Sequence, residues 1–200
     1  MGRSDLTSFS RRLWFRVLDA VIKWRLIRTR NVTIGSNVRF VGRPCIVLVK
    51  DVKLSLGNNV TINSDNRTYH LNMHSPCKLL LDRPGGEISI GDNSRIHGTC
   101  IHAYQRVTIG ANCLIAANSQ IMDGNGHDLA FEDVSSRIHT QGEVRPVSIL
   151  DNVWIGANVV VLPGVTIGEG SVITANSVVH KDVPRMCIAG GNPAVVIKQF

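Results

Sequence analysis

The sequence predicts an all-β fold, a parallel β-helix built from hexapeptide repeats. In the C-terminal part an aliphatic residue recurs at every sixth position, and a residue that tolerates left-handed backbone stands three positions after each. The aliphatic series is Ile149, Ile155, Val161, Ile167, Ile173 and Val179, and the turn series is Asn152, Asn158, Gly164, Gly170, Asn176 and Asp182. Three hexads form one triangular coil, and coils stack at the strand spacing of about 4.8 Å.

Weaker copies of the same period extend the β-helix upstream, so that it is predicted over residues 31–182, with a C-terminal tail at 183–200. The upstream apolar residues at this period are Ile34, Phe40, Leu56, Ile62, Ile90, Ile96, Ile109, Ile115 and Ile121. The period fails in residues 63–86 and again in residues 125–146. It resumes in phase at Val147, which predicts that 125–146 form a loop projecting from the prism.

Residues 1–30 are predicted to hold a basic amphipathic helix, because residues 9–30 lack Gly and Pro. Its apolar residues at helical spacing are Trp14, Val17, Leu18, Val21 and Ile22, and its cations are Arg11, Arg12, Arg16, Lys23, Arg25 and Arg28. One interpretation is a cap on the open end of the β-helix, which solenoids need. The other is a peripheral helix lying on an anionic membrane surface.

Composition bounds the partners and the compartment. Five cysteines form no CxxC pair and leave one unmatched, which favours a reduced, cytoplasmic protein, free or at the inner face of the membrane. We see no signal peptide and no apolar stretch long enough to cross a bilayer. A net charge of +7 favours anionic partners. Nucleic acid is disfavoured because aromatic residues are few and no recognition motif is present.

Three segments resemble the hexapeptide-repeat acetyltransferases, in the branch of galactoside, maltose and surface-polysaccharide O-acetyltransferases. They are residues 152–168, with Trp154-Ile155-Gly156-Ala157, residues 175–184 and residues 189–194, and the similarity covers about 88–198. The resemblance implies a left-handed parallel β-helix, a homotrimer with active sites between subunits, and acetyl-CoA as acyl donor without a metal. It also implies a sugar hydroxyl as acceptor, in O-antigen, capsule or exopolysaccharide synthesis.

His127 is the candidate general base. The catalytic histidine of the family follows a Gly where the large loop leaves the coil, and here Gly126-His127 lies at that point. An imidazole can take the hydroxyl proton during attack on the thioester and return it to the thiolate. Asp128, Glu132 and Asp133 are candidates to orient the ring. A histidine that only plugs the end of a coil is the alternative.

The resemblance also implies a set of cofactor residues. The backbone N–H of Ala157 is expected at the oxyanion and, with Ala175, along the pantetheine arm. Trp154 is expected to line the cofactor cleft or to pack at the trimer interface. Lys181 and Lys198 stand where the family presents cations to the nucleotide phosphates, and a solvated surface charge is the alternative for each. His180 is a further candidate on the cofactor side, at a position where relatives often have Thr, which leaves its role open.

His97 and Asp128 are the candidate acceptor-binding residues, and for His97 a surface histidine is the alternative.

An N-acetyltransferase acting on an amino or nucleotide sugar, or on a xenobiotic, remains open as an alternative function. A γ-class carbonic anhydrase is a rival, because His97 and His102 are spaced like two zinc ligands, with His70, His74 or His127 as a third. A non-catalytic β-helix scaffold is another. Serine acetyltransferase fits less well, because that enzyme has a large helical N-terminal domain.

Overall fold

The computed structural model describes residues 3–200, with the side chains of residue 11 and residues 13–200. An N-terminal helix, α1 (Arg3–Ile27), precedes twenty short strands arranged in three sheets. Sheet A contains β1 (Val32–Ile34), β4 (Lys53–Leu56), β7 (Glu87–Ile90), β10 (Arg106–Ile109), β13 (Val147–Ile149) and β16 (Thr166–Ile167). Sheet B contains β2 (Arg39–Val41), β5 (Thr61–Asn63), β8 (Arg95–His97), β11 (Leu114–Ile115), β14 (Trp154–Ile155), β17 (Val172–Ile173), β19 (Cys187–Gly191) and β20 (Ala194–Gln199). Sheet C contains β3 (Cys45–Leu48), β6 (Lys78–Leu81), β9 (Cys100–His102), β12 (Gln120–Met122), β15 (Val160–Val161) and β18 (Val178–Val179).

The predicted parallel β-helix is confirmed. Each strand from β1 to β19 pairs in parallel with its equivalent one coil away, and the inward aliphatic residues stay in register, as in Ile109 opposite Ile149 opposite Ile167. These side chains are almost fully buried, and together they form one continuous core. Removing one of them, for example by Ile155→Ala, is expected to cost about 2–5 kcal/mol of unfolding free energy.

The turn residues explain why the period is so regular. Asn93, Asn112 and Asn152 have φ of 60°, 57° and 61°, a left-handed conformation that Asn adopts at low cost. Their side-chain amides also stack, with Asn93 Nδ2 donating to Asn112 Oδ1 at 3.0 Å and Asn112 Nδ2 to Asn152 Oδ1 at 3.2 Å. The second half of each hexad therefore fixes both the corner and the coil-to-coil stacking.

A helix covers the N-terminal end of the prism, and the last strands of the chain extend sheet B at the other end. Helix α1 packs against β1 and β2, with Leu26 buried in the core and Asp19 Oδ1 accepting from the Phe40 N–H at 2.7 Å. Residues 183–200, predicted as a tail, contain β19, which extends sheet B in parallel, and β20, which folds back antiparallel on it. No helix in the described part of the chain is long and apolar enough to span a membrane.

The two predicted interruptions differ in the structure. Residues 63–86 contain a short 3₁₀ turn at Asn66–Thr68 and also β6, which supplies the sheet C strand of its coil. Residues 125–146 supply no strand to the prism and contain a 3₁₀ segment at Val134–His139. The longer departure from the prism is therefore the loop 125–146.

Candidate active site

A groove of about 620 Å³ runs along the outer face of sheet B. It crosses β8, β11, β14 and β17, so that neighbouring coils contribute successive side chains to its floor. The predicted residues Trp154, Ala157, Ala175 and His97 all line it. Residues that lie far apart in the chain therefore share one groove, and their roles toward cofactor and acceptor stay predictions.

The end of the groove nearest the C-terminus presents unpaired backbone donors. The Ala157 and Ala175 N–H groups donate to no atom in the part of the chain that the structure describes, whereas the Ala157 carbonyl accepts from the Asn176 N–H at 2.9 Å. Trp154 lies beside them and is 54% exposed. Two open donors beside an apolar ring suit an amide-bearing, extended ligand.

The opposite end is built by the segment 63–86. Tyr69 from this segment stacks on His97 at 4.4 Å between ring centroids, and its hydroxyl reaches the Ala117 N–H. Burial raises the pKa of Tyr69 above its ordinary 10.0, so the phenol is a neutral donor. Arg95 also lines this end, where no carboxylate is present among the lining residues.

His97 is held in one tautomer by its neighbours. Asn63 Oδ1 accepts from the Asp65 N–H at 2.9 Å, which leaves Asn63 Nδ2 to donate to His97 Nδ1 at 3.2 Å. Burial, then the charges of Arg95 and His70, lower the pKa of His97 from 6.5 to about 4. The neutral ring therefore carries its proton on Nε2, so it can donate a hydrogen bond but cannot accept a proton there.

The anchoring of this end extends to helix α1. The Asp65 carboxylate is nearly buried and forms an ion pair with Arg11, and it also accepts from the Thr68 hydroxyl at 3.3 Å. The connection from Arg11 through Asp65 and Asn63 thus reaches His97. A capping helix that also fixes a groove residue was not predicted from the sequence.

His127 lies outside this groove, on the exposed loop 125–146 that leaves the prism after β12 in sheet C. The base of the loop is closed by an antiparallel bridge between Gly124 and Val144 and by the Arg145 N–H, which donates to the Asp123 carbonyl at 2.7 Å. One chain does not bring His127 to the residues that line the sheet B groove.

Buried Asp123 is a residue that sequence reasoning missed. Its carboxylate accepts from three consecutive backbone N–H groups, those of Tyr104, Gln105 and Arg106, at 2.8, 2.7 and 2.6 Å. It therefore anchors the start of the His127 loop to the preceding coil. Its position two residues after an inward aliphatic residue was an available signal, since that place in the hexad forms the corner.

None of the three carboxylates predicted to orient His127 hydrogen-bonds its ring in the described residues. Asp128 accepts from the Ala130 N–H at 3.4 Å, and Asp133 accepts from the Ser135 hydroxyl at 2.6 Å, so both support turns of the loop. Hydrogen bonding, first with Ser135, also holds the pKa of Asp133 below its ordinary range. Within the described residues no side chain, Glu132 included, hydrogen-bonds the His127 ring.

The other predicted cofactor residues, His180, Lys181 and Lys198, are exposed and do not line the groove. His180 and Lys181 follow β18 at the C-terminal end of sheet C. Lys198 lies on β20, at the C-terminal edge of sheet B, with its ammonium 4.4 Å from the centre of the Phe200 ring. Their cofactor role stays a prediction.

The two histidines of the zinc alternative lie on different faces of the prism. His97 is in sheet B, and His102 is in sheet C, where its Nε2 lies 3.0 Å from Asp82 Oδ1. No group of three side chains suited to hold a metal occurs among residues 11 and 13–200. Because a corner of the prism lies between them, the five-residue spacing puts the two histidines on adjacent faces and not at one site.

Tyr69, Asn63 and Arg95 were also missed as parts of the site. Arg95 precedes an inward Ile by one residue, a position that always faces outward, so it could have been expected on a prism face. Tyr69 belongs to an interruption of the repeat, where periodicity gives no orientation. Only the folded segment shows that it covers the groove.

A family model for the bacterial transferase hexapeptide (six repeats) matches residues 146–181. Over a longer span, the chain is 33% identical to the Escherichia coli lipopolysaccharide biosynthesis O-acetyl transferase candidate WbbJ, across 185 residues that cover 88% of this chain and 87% of that protein. It is 42% identical to E. coli galactoside O-acetyltransferase over 120 residues. That match covers 58% of this chain and 56% of that relative, so the chain spans little more than half of its length.

Solved structures support the fold. The hexapeptide-repeat acetyltransferase VCA0836 of Vibrio cholerae, complexed with acetyl-coenzyme A, is 38% identical with a TM-score of 0.52, covering 56% of this chain and 60% of that one. The polySia-specific acetyltransferase NeuO is 29% identical with a TM-score of 0.51, covering 86% and 88%. The left-handed parallel β-helix expected from the resemblance agrees with these neighbours.

Proposed function

We propose that this chain, which belongs to the hexapeptide-repeat acetyltransferase family, transfers an acetyl group from acetyl-CoA to a sugar hydroxyl in the synthesis of a surface polysaccharide. The observation that carries the proposal is the sheet B groove, with open backbone donors at one end and a tyrosine–histidine pair at the other. The proposed location is the cytoplasm, at the inner face of the membrane.

The end with Ala157 and Ala175 suits the donor. The pantetheine arm of coenzyme A is extended and carries amides, which the two open N–H groups can bind. The phosphates would extend toward the C-terminal end of the prism, where His180, Lys181 and Lys198 are exposed. A cofactor longer than the groove would thus meet cations beyond it.

The end with Tyr69 and His97 suits a sugar. Carbohydrates pack on aromatic rings and hydrogen-bond to fixed polar groups, and here the His97 Nε2–H is a fixed, neutral donor. Because that nitrogen already carries its proton, His97 can orient a hydroxyl but cannot remove the hydroxyl proton. The base must come from another residue, and His127 is the candidate.

The transfer breaks the O–H bond of the acceptor and the C–S bond of the thioester, and it forms a C–O bond and the S–H bond of coenzyme A. The imidazole of His127 takes the proton of the acceptor hydroxyl as its oxygen attacks the thioester carbonyl and the C–O bond forms. The carbonyl oxygen becomes an oxyanion, which the Ala157 N–H stabilises. The C–S bond then breaks, the acetyl ester is released, and the imidazolium returns its proton to the coenzyme A thiolate.

We propose further that a second copy supplies the base, in a homotrimer. His127 and the groove lie on different faces of one chain, so a cleft between two copies can unite them. The His127 loop also exposes four large apolar side chains, namely Leu129, Phe131, Val134 and Ile138 at 61%, 77%, 57% and 72%. Such a patch favours burial against a partner.

Mixed oligomers test this arrangement. His127→Ala lacks the base, and Ala175→Trp blocks the groove, so each variant alone should be inactive. Co-assembled in equal amounts, they should recover about a quarter of wild-type turnover, because one cleft in four combines an intact loop with an intact groove. A mixture as inactive as its components would contradict the composite site.

The activity itself is tested by release of free thiol from acetyl-CoA in a screen of sugar acceptors. We expect His127→Ala to lower turnover by about 10²–10⁴ while coenzyme A still binds. Near-normal turnover in that variant would remove His127 from the mechanism. Transfer only to amino sugars would instead make the protein an N-acetyltransferase, and transfer to no acceptor would favour a scaffold.

A further inference from the structure

Helix α1 has two apolar faces, and only one of them packs on the prism. The docked face carries Phe15, Leu18, Ile22 and Leu26, which are half-buried or buried, and Leu26 is 6% exposed. Asp19 lies on this face, where it accepts from the Phe40 N–H and pairs with Lys23 at 2.7 Å. The expected cap is therefore present, and it uses residues three and four apart along the helix.

The opposite face is apolar and uncovered. At 3.6 residues per turn, the helical positions of its residues fall on the side away from the prism. They are Leu13, Trp14, Val17, Val21, Trp24 and Ile27, exposed to 54%, 62%, 50%, 48%, 53% and 62%. A cap needs no second apolar face, so this one has another purpose.

Cations flank this face and carboxylates do not. Arg16 and Arg25 are exposed on its two sides, and the Arg28 guanidinium lies 3.9 Å from the centre of the Trp24 ring. The one carboxylate between residues 13 and 30 is Asp19, which is engaged on the docked side. The face thus joins an apolar centre to a positive rim.

We propose that this outer face of α1 binds the surface of a membrane that contains anionic lipid. Two tryptophans about 15 Å apart along the helix suit the interface between headgroups and acyl chains, and the arginines suit lipid phosphates. A second copy of the chain fits less well, because self-pairing would set arginines against arginines in a protein of net charge +7.

The position of α1 determines which end of the sheet B groove would lie nearer the membrane. The helix covers β2, and β8, which carries His97, is the second strand beyond β2 in sheet B, about 10 Å away. The donor end of the groove, at β14 and β17, is farther still. If the proposed function holds, membrane docking presents the acceptor end to the lipid surface, which suits an acceptor attached to lipid.

Vesicle flotation with the full-length protein tests the docking without any assay of activity. We expect binding to phosphatidylcholine vesicles that contain about a third phosphatidylglycerol, little binding to phosphatidylcholine alone, and weakening by salt. The double variant Trp14→Gln/Trp24→Gln should lose at least about tenfold in binding, because both rings leave the interface. Trp154→Gln, which removes an equally exposed tryptophan from the groove, should bind as the wild type does.

Three results would overturn the proposal. Wild-type protein that does not float with anionic vesicles excludes the membrane as the partner. A double variant that unfolds at the same temperature and still binds shows that another surface is responsible. A double variant whose mass in solution falls shows that a second copy covers the face. Because none of these three measurements depends on acetyl transfer, failure of the proposed activity can be distinguished from failure of membrane binding.

Discussion

Two corners of the same prism treat equivalent backbone groups in opposite ways. At the corner between sheets A and B, the N–H two positions after the inward aliphatic residue donates to a side chain of the next coil wherever that coil carries Asn or Asp, as in Asn58 to Asp92 Oδ1 at 2.7 Å and Ala111 to Asp151 Oδ1 at 2.8 Å. At the corner between sheets B and C, the equivalent groups of Ala157 and Ala175 have no partner in the described chain. We call these the closed corner and the open corner.

The difference lies in one position of the hexad. At the closed corner three coils have Asn58, Asp92 or Asp151 there, whose side chains satisfy the N–H of the coil before, although Ala111 also occurs at this position. The open corner has Ala at 157 and 175, which cannot accept a hydrogen bond through its side chain. An unpaired N–H remains favourable only where water or a ligand can reach it. The same repeat therefore satisfies backbone donors at one corner and leaves donors open at the other.

The largest test of this comparison places one bulky residue at each corner. Ala175→Trp should weaken coenzyme A binding by about 100-fold or more, because the indole fills the groove beside the open donors. Ala111→Trp, its match at the closed corner, should leave affinity within about twofold. Isothermal titration with coenzyme A measures both. Equal losses of coenzyme A affinity in the two variants would show that the open corner is not a preferred binding site.

A smaller effect is expected at the C-terminal cations, which lie outside the groove. Lys181→Ala should weaken coenzyme A binding by about three- to tenfold and make it less sensitive to salt, because a phosphate loses a positive neighbour. Lys53→Ala, which removes a cation paired with Glu87 on sheet A, is the control and should change neither. Unchanged affinity in Lys181→Ala would exclude that residue from the site.

The closed corner should affect stability rather than binding. Asp151→Ala removes the acceptor of the Ala111 N–H and should lower the free energy of unfolding by about 1 kcal/mol. Asp151→Asn keeps an oxygen there and should recover part of the loss. Urea denaturation measures the change, and coenzyme A affinity should stay the same. A loss of affinity without a loss of stability would contradict the assignment.

The remaining test concerns the effect of pH on His97, at the acceptor end of the groove. Since the pKa of His97 is lowered to about 4 from 6.5, its ring should stay neutral at pH 5, and its NMR titration should show a midpoint well below 6.5. The unfolded chain binds this proton more readily, so unfolding free energy should fall as pH drops from 6.5 to 4. His97→Asn should reduce that fall. A midpoint near 6.5 would mean that the ring is not enclosed by Asn63 and Tyr69.

The sequence could predict the prism because its signal is local and repeated. An inward aliphatic residue and a left-handed Asn or Gly fix strand and corner within each hexad, and that is enough to set the register of β10, β13 and β16. The groove residues Trp154, Ala157 and Ala175 followed from the resemblance and occupy one face for the same reason. The pairing of His97 with His102 as metal ligands did not follow, because a corner separates them.

The sequence by itself determined the coil, the inward column and the point where His127 leaves it. Only the tertiary structure decided that Tyr69 and Asn63 enclose His97, that Asp123 anchors the loop, and that α1 turns Leu26 inward and Trp14 outward. The physical reason is the distance along the chain over which each interaction acts. A period constrains residues within one coil, whereas irregular segments and a helix with two apolar faces take their orientation from packing between distant parts of the chain.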